Sequence, residues 1–202
     1  MSGPSAGVLF ATAAAPSWRV TLGEIIDLVG SKGDGNSIWV KTTRPIGGSY
    51  EGIGRHFLAD VAYDSEWPWA EGGWPTEVEE TPAAFFERTF GLIPDKGITL
   101  AAMPNNPEDH RILGELAICV AERLGGIIDM LGLIVPRGVS FEEWQGAPWS
   151  VVRARIEAFT ASMPGKAVAV PSEGGWEAWP SHAVDPEFLR AWMRHPEFHM
   201  IK

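Results

Sequence analysis

Two stretches of this chain place a helical pattern between two apolar strand patterns, and this order restricts the fold more than any other feature. Residues 98–103 (ITLAAM) are typical of a strand, and residues 106–109 (NPED) supply a cap, a first-turn proline and two acids where a helix begins. The apolar residues that follow recur at helical spacing: Leu113, Leu116, Ala117, Val120 and Leu124. Gly125 ends the helix, and residues 126–135 (GIIDMLGLIV) form the next apolar run. The stretch predicts strand, helix and strand in series.

The N-terminal stretch has the same pattern. Residues 7–14 (GVLFATAA) form an apolar run without helix caps, which predicts a buried strand. Thr21 and Glu24 have the spacing of a capping box ahead of an apolar helix, and Gly30 ends that helix. Residues 37–43 (SIWVKTT) are rich in strand formers. Two such units in series predict an α+β fold with a ferredoxin-like β-α-β-β-α-β sheet and its helices on one face.

The length of 202 residues fits one domain with a full hydrophobic core. We expect a single domain over residues 1–202, made of a first βαβ unit (1–43), an acidic Trp-rich connection (44–81), a second βαβ unit with a preceding helix (82–135) and a C-terminal helical extension (136–202). One possible strand lies at 55–63, and a short helix is predicted at 82–90. The extension is predicted to contain a helix at 148–163, a strand at 166–170 and a helix after Asp185 and Pro186.

The charge balance argues against several classes of partner. The formal net charge is −10 and the isoelectric point is about 4.9. Nucleic acids and anionic membranes need Lys and Arg to neutralise phosphate groups, so neither is expected as a partner. The single cysteine, Cys119, rules out an internal disulfide, and no apolar stretch approaches the roughly 18 residues of a membrane span. No secretory signal is supported, so we expect a cytoplasmic protein.

Carboxylates and tryptophans are concentrated in one part of the chain. From Phe57 to Glu87 there are eight Asp or Glu residues and no Lys or Arg. Such a surface attracts a basic partner through its charge and holds it through desolvated aromatic rings. The residues predicted to bind a protein partner are Asp64, Glu66, Trp67, Trp69, Glu71, Trp74, Glu77, Glu79 and Glu80. The competing interpretation is a solvated loop whose Trp side chains pack back onto the domain.

Motifs of catalysis are weak by comparison. The glycine-rich stretches do not match GxxxxGK[ST], no serine has a GxSxG context, and no cofactor or metal is predicted. His195 and His199 are four residues apart, but Pro196 breaks the helix between them, so a solvated tail is expected. Cys119 lies among apolar residues of a helix, where packing is the expected role.

Three residues could line a cleft if the protein is a small enzyme or a ligand-binding domain: His56, His110 and Asp129. His110 lies at the start of the long helix beside a loop, where an imidazole can act in acid–base chemistry. Asp129 interrupts an apolar strand, so its carboxylate either faces solvent or finds a buried partner.

Four segments resemble a family of uncharacterised bacterial single-domain proteins: 109–117 (DHRILGELA), 121–129 (AERLGGIID), 188–192 (FLRAW) and 195–202 (HPEFHMIK). These proteins are similar in style to immunity proteins of polymorphic toxin systems, which are small, acidic and catalytically inert. The resemblance implies a fold unit and a genomic style. Together with the acidic, Trp-bearing surface, it favours the hypothesis of a non-catalytic protein that binds and neutralises a toxin acting in the cytoplasm. The alternatives are the small enzyme or ligand-binding domain, and a scaffold that self-associates through its Trp residues.

Overall fold

The structure is a computed structural model that describes residues 4–32, 37–40, 45–46, 50–51, 55–60, 79–102, 107–136, 149–171 and 181–200. The strands are β1 (Ser5–Phe10), β2 (Gly30–Lys32), β3 (Ser37–Val40), β4 (Pro45–Ile46), β5 (Tyr50–Glu51), β6 (Arg55–Asp60), β7 (Lys96–Ala102), β8 (Ile127–Asp129), β9 (Ala167–Val170) and β10 (Ser181–Val184). The helices are α1 (Trp18–Val29), α2 (Pro82–Phe90), α3 (Pro107–Leu124), α4 (Trp149–Ala161) and α5 (Pro186–Arg194).

The main sheet has the strand order β2-β3-β6-β7-β1-β8-β10-β9, and all of its neighbouring strands are antiparallel. Its centre, β6-β7-β1-β8, is the predicted β-α-β-β-α-β arrangement. The connection containing α1 leads from β1 towards β6 with β7 between them, and α3 leads from β7 to β8 with β1 between them. The α+β class is therefore confirmed.

The strand beside β7 is not the one that the sequence pattern suggested. Residues 37–43 were expected to complete the first unit, but β3 lies one place further out, and β6 pairs with β7, with Phe57 opposite Ala102. The pattern could identify both strands but not their neighbours, because pairing depends on hydrogen bonds to a distant part of the chain.

Element ends follow local chemistry more closely for helices than for strands. The predicted helix at 82–90 has the observed bounds, with Thr81 as its N-cap and Gly91 at φ 69° after its end. Two predicted strands are too long, because 7–14 ends at Phe10 and 126–135 ends at Asp129. Leu133 and Ile134, beyond β8, are buried without being in a strand, so their apolar character came from core packing.

The predicted start of α1 is also wrong. The helix begins at Trp18 with Ser17 as its N-cap, so Thr21 and Glu24 lie inside its first turns. The indole of Trp18 is buried against Phe10, with 5.7 Å between the ring centroids. Burying this large aromatic side chain favours extending the helix by one turn beyond the capping-box signal.

The helices of the two βαβ units, α1 and α3, share one face of the sheet as predicted, and α2, the helix that precedes the second unit, covers the other face. The main core lies between the sheet and helices α1, α3 and α5. Helix α2 packs on the opposite face, where the small core consists of Leu9, Phe85, Phe86, Ile127, Val170 and Ala183. Successive strand residues point to opposite faces, so apolar residues at neighbouring positions of β1 and β8 require a cover on both sides. In the C-terminal extension, β9 is the strand predicted at 166–170, and β10, which the sequence pattern did not predict, also joins the sheet.

Candidate functional site

The described end of the acidic segment lies immediately before α2. Glu79 is exposed and Glu80 is half-buried. The other predicted partner-binding residues lie outside the described residues: Asp64, Glu66, Trp67, Trp69, Glu71, Trp74 and Glu77. The site predicted from sequence can thus be placed only where it meets α2.

Glu80 forms a two-point ion pair with Arg88 of α2. Arg88 Nε donates to Glu80 Oε1 at 2.8 Å, and Arg88 Nη2 donates to Oε2 at 2.7 Å. These hydrogen bonds lower the pKa of Glu80 and raise the pKa of Arg88. A cation of the chain itself therefore already neutralises one predicted partner-binding carboxylate. Glu79, which precedes Glu80 in sequence, and Glu87, which precedes Arg88, remain exposed.

Helix α2, which follows the described end of the acidic segment, is held in place by an N-cap and by buried aromatic side chains. The hydroxyl of Thr81 accepts from Ala84 N at 3.3 Å, which caps the first turn. Phe85 and Phe86 are 4% and 0% exposed in the small core. At the other end of the helix, Lys166 Nζ donates to the carbonyl oxygen of Thr89. The positive charge of Lys166 at this position also interacts favourably with the negative end of the helix dipole.

The three residues of the enzyme hypothesis are not brought together. His110 begins α3, which packs in the main core, whereas Asp129 alternates with Ile128 and so faces the side of the small core. His110 and Asp129 therefore lie on opposite faces of the sheet. His56 is in β6 opposite Trp39, and its side chain lies outside what the structure describes.

Asp129 is buried and held by hydrogen bonds from its own neighbourhood. Its carboxylate is 7% exposed, Oδ1 accepts from Leu131 N at 2.8 Å, and the hydroxyl of Ser181 also hydrogen-bonds to it. Burial raises the pKa of Asp129 despite these bonds. Leu131 has φ 53°, which non-glycine residues rarely adopt. The carboxylate thus stabilises an unusual turn after β8.

Sequence reasoning missed His182, the most deeply buried histidine of the described chain at 1% exposure. Its Nδ1 accepts from Ile134 N at 2.9 Å, its backbone oxygen from Met130 N at 2.8 Å, and its backbone N donates to Gly132 O at 3.0 Å. Burial lowers the pKa of His182 to about 4. The only local signal was the short alternation of residues 181–184 (SHAV), which was not recognised as a strand.

The expectation of a solvated C-terminal tail is wrong. Residues 195–200 fold back over α3 and α5, and Met200 is 1% exposed in the main core. Met200 N donates to His110 Nδ1 at 2.8 Å, which gives His110 a structural role that the sequence did not reveal. The indole of Trp192 donates to His199 O at 3.1 Å. Burial of Met200 and Trp192 supplies the free energy that orders this end of the chain.

The remaining candidates are structural. Cys119 is 6% exposed, and burial raises the pKa of its thiol, which confirms the packing role expected for it. In the part of the chain that the structure describes, no three His, Cys, Asp or Glu side chains are grouped so that they could hold a metal ion. None of the helices in this described part is long and apolar enough to span a membrane.

Comparison with known proteins places the chain in a family. No curated protein and no solved structure matches it. A family model described as a family of unknown function (DUF6368) matches residues 2–202. The chain therefore belongs to this family over almost its whole length.

Proposed function

We propose that this protein is a non-catalytic immunity-type protein that binds and neutralises a basic toxin acting in the bacterial cytoplasm. The observation that carries the proposal is the run of eight carboxylates without Lys or Arg in residues 57–87, in a chain with net charge −10. Carboxylates speed the encounter with a cationic partner, and Trp67, Trp69 and Trp74 would then supply contact energy.

The described end of the segment supports this proposal. Glu79 and Glu87 are exposed, while Glu80 is bound to Arg88 and α2 is fixed by Phe85 and Phe86. A segment that joins a packed helix starts from a fixed position, which reduces the entropy lost on binding.

A small enzyme or ligand-binding domain built on His56, His110 and Asp129 is the second proposal. It is less favoured, because His110 and Asp129 face opposite sides of the sheet. Its strongest support is Asp129, since a buried carboxyl with a raised pKa is the kind of group that acid–base sites use.

The first experiment identifies the partner. The product of the gene adjacent to this one is purified and assayed with and without the protein. At about equimolar ratio the protein should abolish the toxic activity, and the complex should elute as one species. A neighbouring toxin that stays fully active and unbound would contradict the proposal.

The second experiment assigns the surface. The double variant Glu77→Gln/Glu79→Gln should lower the association rate about three- to tenfold at low salt, because it removes two steering charges. The control Glu24→Gln/Asp27→Asn removes the same charge from exposed positions of α1, which packs on the face of the sheet opposite to α2. It should leave the association rate nearly unchanged. Equal effects of the two pairs would assign the attraction to net charge alone.

A third variant tests the aromatic part of the surface. Trp74→Ala should raise the dissociation rate about 30-fold if the indole is a buried contact, because such residues contribute about 2 kcal/mol or more. Surface plasmon resonance measures both rates. An unchanged dissociation rate would remove Trp74 from the interface.

A further inference from the structure

The C-terminal strap, defined as residues 195–200, is held to the domain through histidine rings. Met200 N donates to His110 Nδ1 at 2.8 Å, and Glu197 N donates to His195 Nδ1 at 3.2 Å. A third contact joins His199 Nδ1 and Glu197 O at 2.9 Å. His110, His195 and His199 are all half-buried, so solvent protons can reach this region.

The partner of each ring nitrogen fixes the proton that it carries. A backbone N–H can only donate, so Nδ1 of His110 and of His195 must each offer a lone pair, and both rings are neutral. A carbonyl oxygen can only accept, so Nδ1 of His199 carries a proton. Protonation of His110 or His195 would therefore place an N–H group of the ring against a backbone N–H group, and that hydrogen bond would be lost. The contact between His199 Nδ1 and Glu197 O would persist.

The aromatic contacts of the strap also require residues 195–200 to lie against the domain. The ring of His195 stacks on Trp192 with 5.3 Å between centroids, and Phe198 meets the same indole edge-on at 6.0 Å. Trp192 is 0% exposed beneath them. Lifting the strap would uncover this indole and withdraw Met200 from the main core.

The charges and rings around the strap come from three elements. Arg111 of α3 lies over the ring of Phe198 at 5.7 Å and donates to Met193 O at 3.1 Å, so a permanent cation stands beside the strap. Asp109 precedes His110 on α3 and is fully buried. From α5, exposed Arg194 adjoins His195, and α4 presents the uncharged ring of Phe159 at 5.3 Å from that imidazole.

The carboxylate of Glu197 is the charged group within the strap itself. New positive charge on the imidazoles would be repelled by Arg111 and Arg194 and attracted by Glu197 and Asp109. The hydrogen bonds decide the outcome. Arg111 and Arg194 are exposed, so solvent screens their repulsion, and attraction by Asp109 or Glu197 favours the protonated ring without restoring an acceptor for the Met200 and Glu197 amides.

We infer that the strap is an acid-opened latch, in which protonation of His110 and His195 releases residues 195–200 and uncovers Trp192 while the sheet stays folded. This inference is independent of the proposed binding function. It assigns a conformational role to the C-terminal histidines of the chain.

Amide hydrogen exchange of the full chain tests the latch. Between about pH 7.5 and about pH 5.5, protection of the Met200 and Glu197 amides should fall about tenfold after correction for intrinsic exchange. The Val8 amide in β1 should keep its protection, because opening is local. Constant protection at Met200, or an equal fall at Val8, would overturn the inference.

Non-titrating variants supply the decisive comparison. In His110→Asn/His195→Asn the Asn Oδ1 can accept in place of Nδ1 without gaining a proton, so protection should change by less than about twofold over the same range. The control His199→Asn should behave like the wild type, because its contact does not need a lone pair on the ring. A double variant that opens as the wild type does would overturn the latch. If the double variant fails to fold, the single variants replace it: protection of the Met200 amide is measured in His110→Asn, and protection of the Glu197 amide in His195→Asn. Protection that no longer depends on pH supports the latch, and protection that falls as in the wild type overturns it.

Discussion

The two faces of the central sheet differ in the size of the hydrophobic core that covers each of them. On one face, α1, α3 and α5 share a single main core that reaches from Ala6 to Met200. On the other, α2 covers a small core to which the described part of the chain contributes six buried residues. Each face also contains one buried titratable group near the end of β8, with Asp129 facing the small core and His182 the main core. We therefore expect the main core to contribute more to global stability than the core under α2, so that substitutions on the α2 face should cost less.

Neighbouring isoleucines of β8 provide the strongest test of this comparison. Ile128 is 0% exposed in the main core, and Ile127 is 4% exposed in the small core. Either change to Ala should cost about 2–5 kcal/mol, and Ile128→Ala should cost about 1 kcal/mol more than Ile127→Ala, because a large rigid core relaxes less around a cavity. Urea unfolding of both variants measures the difference. An equal cost would show that the two faces support the fold equally.

The next largest effect is the loss of stability in acid caused by His182. The unfolded imidazole takes up a proton near pH 6.5, whereas the folded one does so only near 4, so stability is lost as the pH falls through this window. The expected loss is about 3 kcal/mol, from about 1.4 kcal/mol for each pKa unit. In His182→Asn the amide oxygen can still accept from Ile134 N, and the loss should largely disappear. Unfolding free energies at the two ends of the window test this, and identical losses in both proteins would refute it.

Asp129 should show the opposite pH dependence. Its folded pKa is raised, so the folded state binds the proton more tightly, and its contribution to stability is lost as the pH rises above the unfolded value of 3.8. Asp129→Asn keeps an oxygen that can accept from Leu131 N, and it should be more stable than the wild type at neutral pH by about 1 kcal/mol. The advantage should shrink as the pH falls, which thermal unfolding across pH can follow. An advantage that grows in acid would contradict this account.

The ion pair between Glu80 and Arg88 should have the smallest effect. Salt bridges at exposed positions contribute little to stability, because solvent screens them and long side chains lose freedom. Glu80→Gln should therefore leave the melting temperature nearly unchanged, while Phe86→Ala lowers it clearly. A large loss in Glu80→Gln would mean that α2 is fixed by charge, and not by its aromatic side chains.

The sequence predicted the positions of helices better than it predicted which strands are paired. Pro82 begins α2 and the left-handed Gly91 follows it, and Asp185 caps α5 by accepting from Phe188 N at 2.7 Å, so local signals predicted both helices. Strand β10 was missed because four residues containing Ser and His carry little periodicity. The candidate surface was predicted from its carboxylates and tryptophans, and only Glu79 and Glu80 of it lie within the described residues.

The roles of the histidines could not be read from the chain. His110 and Met200 are 90 residues apart, and their hydrogen bond exists because α3, α5 and the strap pack together. Asp129 was recognised as unusual, but its partners Leu131 and Ser181 depend on the pairing of β8 with β10. Such contacts follow from tertiary packing, which no local pattern encodes.

The sequence by itself determined the α+β class, the strand–helix–strand order of the second unit and the concentration of negative charge, because periodicity, caps and composition are local properties of the chain. The tertiary structure alone decided that β6 lies beside β7, that α2 covers the second face, and that His110 and Asp129 lie on opposite sides of the sheet. Those outcomes depend on hydrogen bonds and burial between residues far apart in sequence. Their free energies arise only when the chain has already brought the partners together.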